Sequence, residues 1–127
     1  MNMPSRLLGP NTLIQQALPR ILKETPHRYF QKMMLFIEKQ AKLAYQELNR
    51  CPGLRPIMPQ GSMYMMIEIK ISKFPKFEDE KQFVKQLYSE QSVLCIPGYC
   101  FNYSDFMRIV LTVPEDILRE ACQRINE

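Results

Sequence analysis

Phe106 to Glu115 reads Phe-Met-Arg-Ile-Val-Leu-Thr-Val-Pro-Glu, a β-branched and apolar run that holds a single guanidinium, Arg108. Moving an ion into a low-dielectric interior is costly even after relaxation, so an arginine in such a strand requires a carboxylate or a water-filled cleft. Its planar fork donates two parallel hydrogen bonds to a carboxylate, which the point charge of a lysine cannot match. That carboxylate belongs either to a protein Asp or Glu or to a bound acid, and the strand alone leaves both open. Other groups capable of chemistry are sparse. His27, the only histidine, falls in the first turn of an expected helix and reads as a solvated surface residue. Tyr64 and Tyr99 flank or occupy turns, where a tyrosine lines a pocket or closes the edge of a core. Cys51, Cys95, Cys100 and Cys122 show no C-x-x-C spacing and are far from His27 in sequence, so no metal site is expected and buried, reduced thiols are. There is no G-x-S-x-G elbow, no H-E-x-x-H and, with four glycines, no phosphate-cradling loop. Gly61 and Gly98 stand at strand ends, where each would permit φ > 0 or the close approach of another group.

The elements that must position these groups follow from spacing. Asn11 and Thr12 cap a short helix carrying Leu13, Ile14, Ala17 and Leu18, which Pro19 should kink or interrupt before Ile21 and Leu22. Thr25 as N-cap and Pro26 at the first helical position open the longest helix, with Phe30, Met33, Met34, Ile37, Ala41, Ala44, Tyr45 and Leu48 at intervals of three and four. Its methionine-containing stripe is expected to pack in the core, and Cys51-Pro52-Gly53 closes it near Asn49. Leu54-Arg55-Pro56 is extended, and Met63 to Ile71 ends in the alternation of a half-buried strand. Glu78-Asp79-Glu80 begins a helix with Phe83, Val84, Leu87 and Tyr88, where acidic side chains suit the positive end of the helix dipole. Ser92 to Ile96 reads as a short buried strand stopped by Pro97-Gly98, and Phe106 to Val113 as a strand covered on both faces. Thr112-Val113-Pro114-Glu115 matches a capping box before Ile117, Leu118, Ala121, Cys122 and Ile125.

Helix and strand therefore alternate, which implies an α/β or layered α+β domain: a long helix followed by a small sheet with helices packed on it. At 127 residues one folding unit is expected. An apolar fraction of 46% and a charged fraction of 24% are those of a soluble globular chain, and no apolar run approaches the ~20 residues that span a bilayer. The charge of +4 is interleaved with acidic residues rather than gathered into a basic stripe, so neither nucleic acid nor membrane is an expected partner. The amino terminus shows no apolar signal segment, which makes the cytoplasm, or an organelle such as the mitochondrion, the default location.

Five segments in order, Arg6-Leu7-Leu8-Gly9-Pro10, Pro52-Gly53-Leu54-Arg55-Pro56, Pro59-x-Gly61-x-Met63-Tyr64-Met65, Glu90-Gln91-Ser92-Val93 and Phe106-x-Arg108 through Glu115, carry a resemblance. They are similar to the carboxy-terminal part of the tyrosine aminotransferase family, fold-type I enzymes that use pyridoxal 5'-phosphate. The resemblance implies that residues 1–24 follow the cofactor-lysine region, that 25–50 form a connecting helix and that 51–127 form the small domain. It makes Arg108 the counterpart of the arginine that grips the substrate α-carboxylate, with segments near Gly61 and Pro97-Gly98 bordering the cleft. The family's cofactor lysine, in a motif like S-K-x-x-x-x-P-G-x-R-x-G-W, has no match here, since Ser72-Lys73 is followed by Phe74-Pro75-Lys76-Phe77. No catalytic or cofactor-binding residue is expected in this chain, and no cofactor bound to it alone. The implied intact enzyme is a homodimer that moves an amino group from tyrosine, or a similar aromatic amino acid, to 2-oxoglutarate. The alternatives are a noncatalytic remnant that serves as an interaction module and, more remotely, an unrelated acid-binding domain.

Overall fold

The computed structural model describes residues 10–127, which fall into two compact units, one ending at Met34 and the other Leu35–Glu127. In the first unit, Asn11 accepts a 2.9 Å hydrogen bond from the Leu13 amide and opens α1, Thr12–Glu24. Pro19 does not interrupt it. The proline removes one amide, but no residue of α1 is buried, so water can serve the orphaned carbonyl and the helix continues. Thr25 also departs from expectation. Its hydroxyl donates to the Ile21 carbonyl at 2.5 Å and its amide donates to the same oxygen at 2.9 Å, so it closes α1 rather than opening the next helix. Pro26 explains this: a residue before proline is pushed to extended φ/ψ, here −67° and 119°, which ends a helix. The long helix α2, His27–Leu48, accordingly starts one residue after Pro26.

The second unit is built on a four-stranded antiparallel sheet with strand order β1-β2-β4-β3. The strands are β1, Leu54–Ile57; β2, Tyr64–Ile69; β3, Ile96–Pro97; and β4, Phe106–Val110. The helices of this unit are the latter part of α2, α3 (Glu80–Gln91) and α4 (Glu115–Asn126). One face of the sheet presents Leu54, Pro56, Met65, Ile67, Ile69, Met107 and Ile109, all buried, in register across the strands. Ala41, Ala44 and Leu48 of α2, Phe83 and Leu87 of α3, and Leu118, Cys122 and Ile125 of α4 join that core. The opposite face, with Arg55, Ile57, Tyr64, Met66, Glu68, Phe106, Arg108 and Val110, is half-buried or exposed. The expectation that β4 is covered on both faces is thus corrected: an apolar alternate face records what a strand can tolerate, not what lies against it.

The remaining differences have local causes. β2 ends at Ile69 because Ile71 belongs to a one-turn 3₁₀ helix, Ile71–Lys73. Residues 92–95 form no ladder; Val93 and Cys95 face the core and Leu94 is 77% exposed, so apolar alternation produced burial without pairing. The capping box at Thr112 is not used. Pro114 occupies the N-cap of α4 with no side-chain bond, and Glu115 instead meets Lys39 of α2 at 2.6 Å and Arg119 at 2.9 Å. Gln40, fully buried, donates to the Val113 carbonyl at 2.6 Å, and Asn126 donates to the Glu47 carbonyl at 3.2 Å, so α2 holds both ends of α4. The methionine stripe of α2 packs only partly: Ala41, Ala44 and Leu48 are buried, whereas Met33 and Met34 are exposed. Cys95 and Cys122 are buried as expected, Cys51 is half-buried and Cys100 is exposed.

Candidate functional site

β4 carries Arg108 onto the open face of the sheet. Register places it beside Met66 of β2 and Ile96 of β3, with Ile57 of β1 beyond Met66. Its cross-strand neighbours are therefore apolar, at the spacing where facing side chains interact. The guanidinium carbon lies over the Tyr64 ring at 4.2 Å from its centroid and over the Phe101 ring at 4.1 Å. Its Nε is buried and has no hydrogen-bond partner among the described residues. Among the described residues eight ion pairs form, and none includes Arg108. The nearest carboxylate by register on this face, Glu68, is taken by Arg55 across the β1–β2 pair. An internal Asp or Glu, one of the two partners the sequence allowed, is thus not what holds this arginine. A buried donor left unpaired is costly, and in folded proteins it is the exception that requires a reason.

Phe101 reaches the guanidinium by way of the turn between β3 and β4. A one-turn 3₁₀ helix, Gly98–Phe101, ends at Asn102 in the left-handed region with φ 55°, and the Tyr103 amide returns to the Gly98 carbonyl at 3.1 Å. Gly98 makes the close approach expected of it: a Cβ there would stand 1.9 Å from the Tyr103 carbonyl oxygen and 2.9 Å from that of Phe106. Gly61 does not, having open space around its Cβ position, and the left-handed backbone at that bend falls to Ser62 with φ 73°. Of the two tyrosines considered from sequence, Tyr64 meets Arg108, while Tyr99 is exposed with the Lys81 ammonium 4.5 Å from its ring centroid. His27 is exposed. Phe101 was not singled out by the sequence. The signal available was an aromatic residue just past Pro97-Gly98, and only the turn's geometry gives it meaning.

Lys73 is exposed in its one-turn helix beside Gly53 and lines a separate cavity of about 370 Å³ with Phe74, Phe77 and Phe83. Neither Arg108, Tyr64 nor Phe101 reaches that cavity. The residues around the guanidinium therefore supply one cation in an apolar and aromatic frame, suited to a carboxylate on an otherwise apolar molecule. They supply no amine nucleophile.

A profile of the aminotransferase class I and II family matches residues 1–125. The chain belongs to that family. Tyrosine aminotransferase of Mus musculus is 44% identical over 127 residues, all of this chain and 28% of the mouse protein; that of Bos taurus is 48% identical over 122 residues, 96% and 27%. The solved tyrosine aminotransferase of Leishmania infantum superposes with a TM-score of 0.83 at 30% identity, over 92% of this chain and 29% of that one. The aspartate aminotransferase of Rhizobium meliloti shares the fold, with a TM-score of 0.80 at 23% identity over 96% of this chain and 32% of that one. The chain spans a little over a quarter of the length of these curated relatives.

Proposed function

We propose that this chain is the substrate-anchoring portion of an aminotransferase that moves an amino group from tyrosine, or a similar aromatic amino acid, to 2-oxoglutarate. The observation that carries the proposal is Arg108, a guanidinium without an internal carboxylate, fixed over two aromatic rings on an open sheet face. Amino acid and 2-oxo acid both bear a carboxylate next to the reacting carbon, so one bidentate arginine serves both half-reactions. Gripping that group fixes how the reacting carbon is presented, which converts binding into orientation. Met66, Ile57 and Ile96 offer apolar surface next to the grip, which suits an aromatic side chain. Pyridoxal 5'-phosphate, when bound in the intact enzyme, supplies the electron sink for such a reaction. The residues of this chain do not fit that group: Lys73 lies at another cavity, and the Arg108 surroundings hold no lysine in register. The cofactor, the second subunit of a homodimer and the substrates belong to the intact enzyme in this reading.

The test joins residues 1–127 to the cofactor-binding portion of mouse tyrosine aminotransferase, in place of the segment they match. Transamination of tyrosine is expected. Arg108→Ala should lower kcat/KM for tyrosine by about 30-fold or more, since truncating one partner of a buried charge pair costs at least ~2 kcal/mol. It should leave the cofactor's visible absorbance in place. An Arg108→Ala chimera with undiminished kcat/KM would overturn the assignment.

A further inference from the structure

We propose that Tyr64 and Phe101 are positioning residues for the carboxylate: their rings hold the Arg108 guanidinium in one plane without neutralising it. The inference rests on the reading of Arg108 as the anchor and adds how the anchor is kept ready. An arginine side chain has many rotamers, and an unpaired one on an open sheet face would sample them. Proteins commonly fix such a group with an Asp or Glu. Here that solution would fail, because an internal carboxylate would occupy the fork and compete with the incoming acid. Aromatic faces attract the cation through the ring quadrupole yet accept none of its hydrogen bonds. The guanidinium carbon lies 4.2 Å from the Tyr64 centroid and 4.1 Å from that of Phe101, well inside the range of that attraction.

The two rings arrive by independent routes. Tyr64 is the first residue of β2 and pairs with Val110, so its ring stands diagonally across from Arg108, within reach of a long side chain. Phe101 is folded back from the β3–β4 turn, whose closure needs the bare Cα of Gly98 and the left-handed Asn102. Met66 and Ile96, the direct neighbours in register, add apolar walls and no competing acceptor. The charge is therefore oriented by groups that accept none of its hydrogen bonds, which leaves its terminal nitrogens to a ligand.

In the chimera described above, Phe101→Leu and Tyr64→Leu should each raise KM for tyrosine and for 2-oxoglutarate on the order of 3- to 30-fold, with kcat little changed. Phe101→Tyr should restore the original KM. In an Arg108→Ala background, Phe101→Leu should add no further loss, because there is no guanidinium left to hold. If Arg108→Ala itself changes nothing, the anchor reading has failed. If Arg108→Ala impairs turnover while both leucine variants keep the original KM, or if their loss persists undiminished in the Arg108→Ala background, the anchor stands and the positioning role is overturned. A second measurement uses the 127-residue chain alone. The Arg108 Nε–H proton, assigned by its loss in Arg108→Lys, should resonate upfield of the other arginines through ring shielding and return toward them in Phe101→Leu. An unshifted signal in the unmodified chain would overturn the proposal.

Discussion

At Gly98 the backbone leaves no room for even a methyl group, since a Cβ would meet the Tyr103 carbonyl oxygen at 1.9 Å. The two atoms it would strike first, the carbonyl oxygens of Tyr103 and Phe106, are main-chain atoms, so relief requires moving the turn that carries Phe101. Gly98→Ala should destabilise the fold by about 1–3 kcal/mol or more, read from urea melts, and should reproduce the KM effect of Phe101→Leu in the chimera. A Gly98→Ala protein with unaltered stability would show that the turn is not closed as described. The residue scale also marks how far sequence alone reaches. Arg108 was legible because a charge in an apolar strand is energetically conspicuous on any backbone, and Gly98 because a Pro-Gly pair at a strand end signals a special turn. Which carboxylate Arg108 would meet was not legible, because it depends on Glu68 being occupied by Arg55 one strand away. Phe101 was invisible for a related reason: nothing in Tyr99-Cys100-Phe101 says which aromatic folds back over the sheet.

Among elements, α4 seals the covered face of the sheet through Leu118, Cys122 and Ile125, and Cys95 lies in the same core. Burial pushes the Cys95 thiol up to about 12, with Cys122 adding to the shift, and burial pushes Cys122 up to about 11, from an ordinary value of 9.0. A raised folded-state value means that the folded chain retains protons the unfolded chain releases. These thiols therefore support stability below pH 9.0, and that contribution is lost progressively as pH rises toward the folded values of about 11 and about 12. Urea melts on either side of pH 9.0 should show stability falling into the alkaline range, with a shallower fall in Cys95→Ala; equal slopes would refute the assignment. A thiol-alkylating reagent should modify exposed Cys100 readily and reach Cys95 and Cys122 only with unfolding. Element types followed from periodicity almost throughout, whereas element ends did not. Thr25 and Thr112 each carry the composition of an N-cap, but the proline after Thr25 and Pro114 at the N-cap of α4 moved both helix starts. Capping composition identifies candidates for an orphan amide, and backbone restrictions at proline decide which candidate is used.

At the scale of the whole molecule, apolar surface is distributed unequally between the two units. In the unit ending at Met34, α1 buries no residue and exposes Leu13, Ile14, Leu18, Ile21 and Leu22, while Met33 and Met34 of α2 are exposed as well. The unit Leu35–Glu127 has a core of its own, yet opens with Leu35 at 66% exposure and Phe36 at 42%. Single exposed apolar residues are ordinary, but an amphipathic helix with no buried residue has an apolar stripe without a partner among the described residues. For the 127-residue chain alone, a net charge of +4 offers little repulsion against the pairing of such stripes. The isolated chain should therefore associate in a concentration-dependent way, visible by sedimentation velocity. Leu13→Glu with Leu22→Glu should weaken that association through α1, and Leu35→Glu should do so through the second unit, each without loss of the sheet's circular-dichroism signal. Because α1 contributes nothing to the buried core, the α1 pair should also leave the denaturation midpoint within about 0.5 kcal/mol of the parent, the range of ordinary surface substitutions. An unmodified chain that sediments as a single monomer across the accessible concentration range would mean that these stripes are satisfied within one molecule.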